Sequence, residues 1–136
     1  MGKYTGFLMT WLASRSRAAF AAAIDELGLR PPQFGLLTVI ADSPGQTQQA
    51  LVETTGIDAS SMVQSLDALE AAGFAERRPH PTDRRKRAIH VTPQGEEVLR
   101  RGREKAREVG DEAFAPLTKA ERRELHRLLR KLARLD

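Results

Sequence analysis

The chain has 136 residues, a net charge of +4 and no cysteine. This length is sufficient for one domain, or for one domain with a helical extension, and the positive charge is compatible with an anionic partner. The lack of cysteine excludes disulfides, thiol-based redox sensing and cysteine-ligated zinc sites. The N-terminal residues contain no long apolar run, so we expect neither a signal peptide nor a membrane span, and we expect a cytoplasmic protein.

Residues 4–27 are predicted to form one long amphipathic helix that ends at Gly28. Apolar side chains recur there mostly three and four residues apart, as they do on one face of a helix. This apolar stripe comprises Phe7, Leu8, Trp11, Leu12, Ala19, Phe20, Ala23, Ile24 and Leu27. A helix of this length needs a surface against which it can bury such a stripe.

A second helix is predicted to begin at Pro31 and Pro32, because proline is tolerated in the first helical turn. Its apolar side is formed by Phe34, Leu37, Ile40 and Ala41. The run Asp-Ser-Pro-Gly over residues 42–45 is typical of a turn and ends this helix.

Residues 47–73 are predicted to form two helices joined by a tight turn, and the rest of the chain is organised around them. Thr47 and Asp58 are suitable N-caps for the two helices, and Gly56 can adopt the left-handed conformation that ends the first. Gly73 ends the second helix. The apolar side of that helix is predicted to comprise Met62, Val63, Leu66 and Leu69.

The first turn of this second helix, residues 58–61, is short, polar and uncrowded. A helix whose N-terminal end must lie against a phosphate backbone and reach base edges needs such residues. An ordinary helical hairpin with a polar cap would show them as well.

After Gly73 the pattern changes from helix to strand. Residues 74–78 and 87–92 are short and alternate in part, which predicts two strands. The loop between them, residues 79–86, is too long for a two-residue turn. The order helix, turn, helix and β-hairpin is that of a winged helix-turn-helix.

The positive charge is concentrated on this hairpin. Residues 77–87 contain six basic residues and one acid, a net charge of +5, so the remainder of the chain carries −1. A basic cluster on a loop beside a helix-turn-helix can neutralise DNA phosphates, and this favours DNA binding over a merely solvated surface.

Two further helices are predicted at the C-terminal end. Thr92 and Pro93 suit the start of the first, which Pro116 ends. Thr118 and Glu121 have the spacing of a capping box at the start of the second. The last helix has an apolar seam close to a heptad repeat, formed by Leu125, Leu128, Leu129, Leu132 and Leu135.

Taken together, these motifs resemble the MarR family of bacterial transcriptional regulators over nearly the whole chain. The most specific likeness is Pro-Thr-Asp-Arg-Arg at residues 81–85, followed by Val-Thr-Pro-Gln-Gly at residues 91–95. Further matching segments are residues 27–34, 44–48, 56–61 and 69–74.

The resemblance implies a mainly α fold with a small β-hairpin wing. Residues 31–92 would form the winged helix-turn-helix domain, and residues 1–30 and 93–136 a helical dimerisation region. Two copies would bind a palindromic operator in double-stranded DNA, as a repressor that a small aromatic or phenolic effector releases. The implied DNA-binding residues are Thr47, Ser60, Ser61, Gln64, Arg77, Asp83, Arg84, Arg85, Lys86 and Arg87, with Arg85 in the minor groove and held by Asp83.

Two other residue sets follow from the resemblance and from the apolar patterns. The dimer interface would contain Phe7, Leu8, Leu12, Leu125, Leu128, Leu129, Leu132 and Leu135. An effector pocket would contain Phe7, Trp11, Phe20 and Phe34, although at helical spacing these aromatic residues equally suit the core and the dimer interface.

The chain departs from the family pattern in its recognition helix. Ala59 and Gln64 stand where many members have basic residues, and Ser65 stands where an apolar residue is common. We therefore expect weaker phosphate contacts from the helix and a larger contribution from the wing. Without cysteine, the chain cannot be one of the family's thiol-based peroxide sensors.

The sequence favours DNA binding over other functional classes. A small enzyme is disfavoured, because His80, His90 and His126 are far apart in the sequence and no catalytic or phosphate-binding motif is present. We expect no catalytic residues, no metal and no cofactor. A winged-helix module that binds protein would not need the basic hairpin. A DNA-binding regulator that acts without a ligand is the other alternative.

Overall fold

The computed structural model describes residues 3–135, which form six helices and three strands. The helices are α1 (Thr5–Asp25), α2 (Pro31–Asp42), α3 (Gln48–Thr55), α4 (Ala59–Ala71), α5 (Pro93–Ala113) and α6 (Lys119–Leu132). The strands are β1 (Gln46–Thr47), β2 (Ala75–Pro79) and β3 (Arg87–Val91). The predicted fold class, mainly α with a β wing, is confirmed. Within residues 3–135, none of these helices has both the length and the apolar character that a membrane span requires.

The predicted caps are present where the helices begin. The Thr47 hydroxyl accepts a hydrogen bond from the backbone N–H of Ala50 at 3.1 Å, and Asp58 caps α4 in the same manner. Gly56 lies between α3 and α4 with φ of 73°, a conformation that costs little only for glycine. The turn of the helix-turn-helix is therefore determined by local residues.

The sheet has one strand more than the predicted hairpin. All three strands are antiparallel in the order β1-β3-β2, and Gln46 pairs with Ile89. Two residues are too few to show an alternating pattern, so β1 was missed. Pro79, predicted to lie in the loop, is the last residue of β2, opposite Arg87. Proline is tolerated at such a strand end.

The core lies where the C-terminal half of α1, the helices α2, α3 and α4, the sheet and the start of α5 meet. Its largest fully buried side chains are Ile24, Leu37, Ile40, Leu51, Met62, Leu66, Leu69, Ile89 and Leu99. The placement of Val63 on the apolar side of α4 was wrong, because its side chain is 40% exposed. One residue after Met62, it is rotated about 100° away from the buried face.

Apolar side chains on α1 and α6, and next to their outer ends, remain exposed in the single chain. They comprise Tyr4, Phe7, Met9, Trp11, Leu12, Leu128, Leu129, Leu132 and Leu135. Only the C-terminal half of the predicted α1 stripe reaches the core, and α6 contains no buried residue. The α5 helix ends at Ala113, three residues before the predicted break at Pro116.

A cluster of hydrogen bonds joins the end of α4 to the start of α5. The Thr92 hydroxyl donates to the Gly73 carbonyl at 2.5 Å and accepts from the Gly95 N–H at 3.0 Å. The Thr92 N–H donates to the Phe74 carbonyl at 3.1 Å. A Cβ atom on Gly95 would lie 2.0 Å from that carbonyl oxygen, so only glycine fits there. We call Gly73, Phe74, Thr92 and Gly95 the α4–α5 junction.

A second close approach joins α2 to α5. A Cβ atom on Gly102 would lie 2.3 Å from Cε2 of Phe34, whose ring also packs edge-on against Phe20 at 5.4 Å between centroids. Gly102 therefore lets α5 pack directly on an aromatic ring, a role that no sequence pattern indicates.

We predict that Gly102→Ala lowers the free energy of unfolding by about 1–3 kcal/mol, because the added methyl group overpacks the Phe34 ring. Gly35→Ala is the matched control: Gly35 lies within α2 and has no atom within 4 Å of an added Cβ. That change should stabilise by roughly 0.5–1 kcal/mol. Urea unfolding at equal protein concentrations measures both. Equal effects of the two substitutions would contradict the packing described here.

Candidate nucleic-acid interface

The polar face of α4 projects away from the core. Ser60, Ser61 and Gln64 are all exposed, and Gln64 lies three and four residues after the two serines. Side chains at these spacings are neighbours on a helix surface. The structure therefore brings the three predicted base-contacting residues of the recognition helix together.

Asp58 occupies the N-terminal end of this face. Its Oδ1 accepts from the Ser61 N–H at 2.9 Å, and its Oδ2 accepts from the Ser61 hydroxyl at 2.7 Å. These two bonds lower the pKa of Asp58 below its usual value. An anionic side chain thus already caps the helix, so a phosphate bound at this end would be stabilised little by the helix. Because the Ser61 hydroxyl donates to Asp58, it is left to act toward a ligand as an acceptor.

Thr47 lies at the other end of the helix-turn-helix and is half-buried. Its oxygen caps α3, which leaves the hydroxyl hydrogen available to donate. A hydroxyl donor is suited to contact a phosphate oxygen.

The wing loop is shaped by hydrogen bonds to Asp83. Its Oδ1 accepts from the backbone N–H of Arg85 at 3.0 Å, and its carbonyl accepts from the Lys86 N–H at 3.0 Å. At the base of the loop, the His80 N–H donates to the Lys86 carbonyl at 3.1 Å. The loop is therefore a folded turn.

The Arg85 guanidinium is only weakly held. Its Nε lies 3.4 Å from Oδ1 of Asp83, and its side chain is 92% exposed. The shorter bond from Asp83 is the one to the Arg85 backbone, so this carboxylate fixes the loop more firmly than it fixes the guanidinium. Arg84, Lys86 and Arg87 are exposed and form no ion pair with any residue in 3–135. These four side chains form a basic surface, which we call the wing-tip cluster.

Arg77, also predicted to contact DNA, is directed toward the protein. Its guanidinium bonds to Asp67 at 2.8 Å and to Glu70 at 3.3 Å, and its side chain is 23% exposed. Both partners lie on α4, so Arg77 fixes the wing strand β2 against the recognition helix. The signal for this role was the pair of acids three residues apart on α4, which sequence reasoning did not use.

The four aromatic residues of the predicted effector pocket do not line a common cavity in the single chain. Phe20 and Phe34 pack against each other, and Phe34 also lies against Gly102. Phe7 and Trp11 are 48% and 41% exposed, and residue 11 is about 13 Å along the α1 axis from residue 20. The Arg15 guanidinium lies over the Trp11 ring, 4.8 Å from its centroid.

The predicted dimer residues lie mainly on the exposed sides of α1 and α6. Leu8 and Leu125 are partly buried, whereas the other six are exposed in the single chain. An ion pair between Arg122 and Asp111, 2.9 Å long, links α6 to α5. Among residues 3–135, no cluster of three histidine, aspartate or glutamate side chains could hold a metal.

Comparison with known proteins gives the family. A sequence profile described as the MarR family matches residues 27–86. Transcriptional regulator HosA of Escherichia coli O111:H- is 30% identical over 104 residues, which cover 76% of this chain and 77% of HosA. The chain belongs to the MarR family. It is thus a winged helix-turn-helix protein of a family of transcriptional regulators.

Other proteins are similar to this chain in sequence or in structure. A putative transcriptional regulatory protein for the hcr operon of Thauera aromatica is 38% identical over 109 residues, which are 80% of this chain and 66% of that protein. The structure of Rv2887 of Mycobacterium tuberculosis in complex with DNA is 28% identical, with a TM-score of 0.79, over 95% of this chain and 97% of that one. Rv2887 has also been solved with p-aminosalicylic acid, at 27% identity and a TM-score of 0.75, over 96% of this chain and 98% of that one.

For a wing loop that contacts DNA, we predict that Asp83→Ala weakens specific binding by roughly three- to tenfold, because the Arg85 backbone loses its acceptor. Simple electrostatics predicts the opposite, since a negative charge is removed. Asp83→Asn is the matched control, as its side-chain oxygen can still accept from the Arg85 N–H. It should bind as tightly as the unchanged chain or more tightly.

Fluorescence anisotropy with a specific and an unrelated duplex separates these effects. Binding to the unrelated duplex should be unchanged or slightly stronger for both variants. Tighter specific binding by Asp83→Ala would show that Asp83 is only a surface charge. Equal weakening by both variants would show that it acts by pairing with the guanidinium.

Proposed function

We propose that this MarR family chain is a transcriptional regulator that binds a palindromic operator in double-stranded DNA as a homodimer. The observation that carries this proposal is the wing-tip cluster, four exposed basic side chains on a folded loop, next to a recognition helix with an exposed polar face. Arg77 holds the wing strand and that helix in a fixed relation.

In this arrangement, α4 lies in the major groove and the wing reaches the neighbouring minor groove. The Gln64 amide can pair bidentately with N6 and N7 of adenine, and the Ser61 hydroxyl can accept from a base amino group. Arg85 is almost fully exposed, and a narrow minor groove concentrates negative potential that attracts such a side chain. Thr47 and the remaining residues of the wing-tip cluster contact phosphates.

Two copies are required because of the uncovered apolar sides of α1 and α6. Leu128, Leu129 and Leu132 on α6 are 42%, 42% and 70% exposed, and Trp11 and Leu12 on α1 are 41% and 57% exposed. Apolar side chains grouped in this way mark a protein contact. A second copy offers the same two helices, so a two-fold dimer buries both sets and presents two α4 helices to the two halves of a palindrome.

We predict that Leu128→Glu with Leu132→Glu converts the dimer to monomers and abolishes operator binding, because charges replace the apolar contact. Lys119→Glu with Arg123→Glu is the matched control, since these residues lie on the opposite side of α6 and introduce the same two glutamates. The control should stay dimeric. Sedimentation equilibrium measures the mass of each variant, and a leucine variant that stays dimeric would place the interface elsewhere.

We further propose that the protein is a repressor and that a small aromatic acid releases it from DNA. Support comes from the related Rv2887, which was solved with p-aminosalicylic acid, and from Arg15, whose guanidinium beside the exposed Trp11 ring offers a partner for a carboxylate. The ligand can weaken DNA binding only by favouring a dimer whose two α4 helices no longer match the half-sites.

We predict that p-aminosalicylic acid quenches Trp11 fluorescence and weakens operator binding over the same concentration range. Trp11 is the only tryptophan in the chain, so the signal reports this region. A neutral aromatic amide is the control ligand and should do neither. Quenching with unchanged DNA affinity would indicate a pocket without a switch.

The proposed function is tested by selecting bound duplexes from random DNA with the purified protein. We expect enrichment of one palindromic sequence with half-sites about one helical turn apart. A winged-helix module that binds protein would enrich no sequence and would retard an arbitrary duplex little even at low salt. Enrichment of a sequence without two-fold symmetry would support DNA binding but contradict the proposed dimer arrangement.

A further inference from the structure

One large apolar side chain on α4 is not used by the core. Met62, Leu66 and Leu69 are at most 2% exposed, whereas Val63 is 40% exposed. A single exposed valine is ordinary on a protein surface. What distinguishes Val63 is its place beside Gln64 on the helix that faces DNA in the proposed function.

The position of Val63 follows from helix geometry. It lies three residues after Ser60 and four residues before Asp67, so these two side chains are among its neighbours on the surface. Arg77 bonds to Asp67 and Glu70 on the same side of α4. Val63 is therefore on the side of the recognition helix nearer the wing strand, at the edge of the polar face.

The apolar character of the Val63 side chain determines which group of a base it can contact in a major groove. Valine has no hydrogen-bonding group, and its β-branch holds one χ1 rotamer in a helix, so its methyl groups are fixed in direction. The thymine C5-methyl group is the apolar feature that bases present in that groove. Phosphates and the amino or carbonyl groups of bases can form no hydrogen bond with a valine side chain.

We propose that Val63 is a specificity-determining residue that packs against the C5-methyl group of a thymine in each half-site. The assignment rests on the proposed function, because it requires α4 to lie in the major groove. Gln64 would then recognise an adenine next to that thymine. The helix α4 thus reads two neighbouring A·T base pairs, one through hydrogen bonds from Gln64 and one through the apolar contact of Val63.

The test uses the operator recovered by selection, with each thymine of the half-sites replaced in turn by deoxyuridine. Deoxyuridine pairs with adenine as thymine does but lacks the methyl group. We expect one position per half-site at which the replacement weakens binding of the unchanged chain by roughly fourfold, and by about fifteenfold when both half-sites carry it. Fluorescence anisotropy measures these dissociation constants.

The matched protein variants are Val63→Ala and Gln64→Ala. Val63→Ala should bind the thymine and deoxyuridine duplexes equally at that position, whereas Gln64→Ala should bind more weakly overall and keep the full deoxyuridine penalty. Because Val63 is not part of the core, Val63→Ala should retain the circular dichroism spectrum and urea midpoint of the unchanged chain.

Three results would overturn the assignment. A deoxyuridine penalty that persists in Val63→Ala would place another residue at the methyl group, and equal weakening of that variant on all duplexes would place Val63 against the DNA backbone. Unchanged DNA binding by Val63→Ala would remove it from the interface. If the unchanged chain enriches no duplex, the proposed function itself fails, and the assignment falls with it.

Discussion

The hydrogen bonds of Thr92 hold the recognition helix to the helix that leads into the proposed dimer. Its hydroxyl bonds to the Gly73 carbonyl and the Gly95 N–H, and its backbone N–H bonds to the Phe74 carbonyl. One residue thus connects the end of α4 to the start of α5. Gly95 brings α5 so close that a single methyl group would collide with the Phe74 carbonyl. Since α5 cannot turn relative to α4 without breaking these bonds, the position of α4 follows that of the helices proposed to form the dimer. An effector that moves those helices would move α4 with them.

Arg77 provides the second constraint, at the other side of α4. Its bonds to Asp67 and Glu70 tie the wing strand to the recognition helix, while Asp83 keeps the loop folded. The two elements that are proposed to contact DNA are therefore organised before any DNA binds, and less conformational freedom is lost on binding than with a mobile wing. Only the side chains of the wing-tip cluster need to order. A negative charge in a DNA-binding loop and two acids on a recognition helix are explained by this organisation.

The sequence predicted the elements whose causes are local. Apolar periodicity and capping residues such as Thr47, Asp58 and Thr92 give the helices, and the residue order gives the winged arrangement. Features that depend on tertiary contact were missed. Strand β1 has two residues and exists only because β3 lies beside it. Arg77 bonds to the acids of α4 and does not face solvent as expected. Val63 matches the helical period, although the core does not reach it. Of the aromatic residues assigned to a pocket, Phe7 and Trp11 lie on the N-terminal half of α1, Phe20 on its C-terminal half and Phe34 on α2. The pattern alone could not show that Phe34 is packed against Gly102.

If each α4 is joined rigidly to a dimer, the affinity for DNA must depend on the separation of the two half-sites. Inserting five base pairs between them rotates the second major groove by about half a turn, to the opposite side of the duplex. The most direct measurement is the dissociation constant of the unchanged chain for the selected operator with and without this insertion. We predict that the insertion lowers the affinity to that of a duplex with a single half-site. Equal affinity for both operators would contradict a rigid connection between the recognition helices and the dimer.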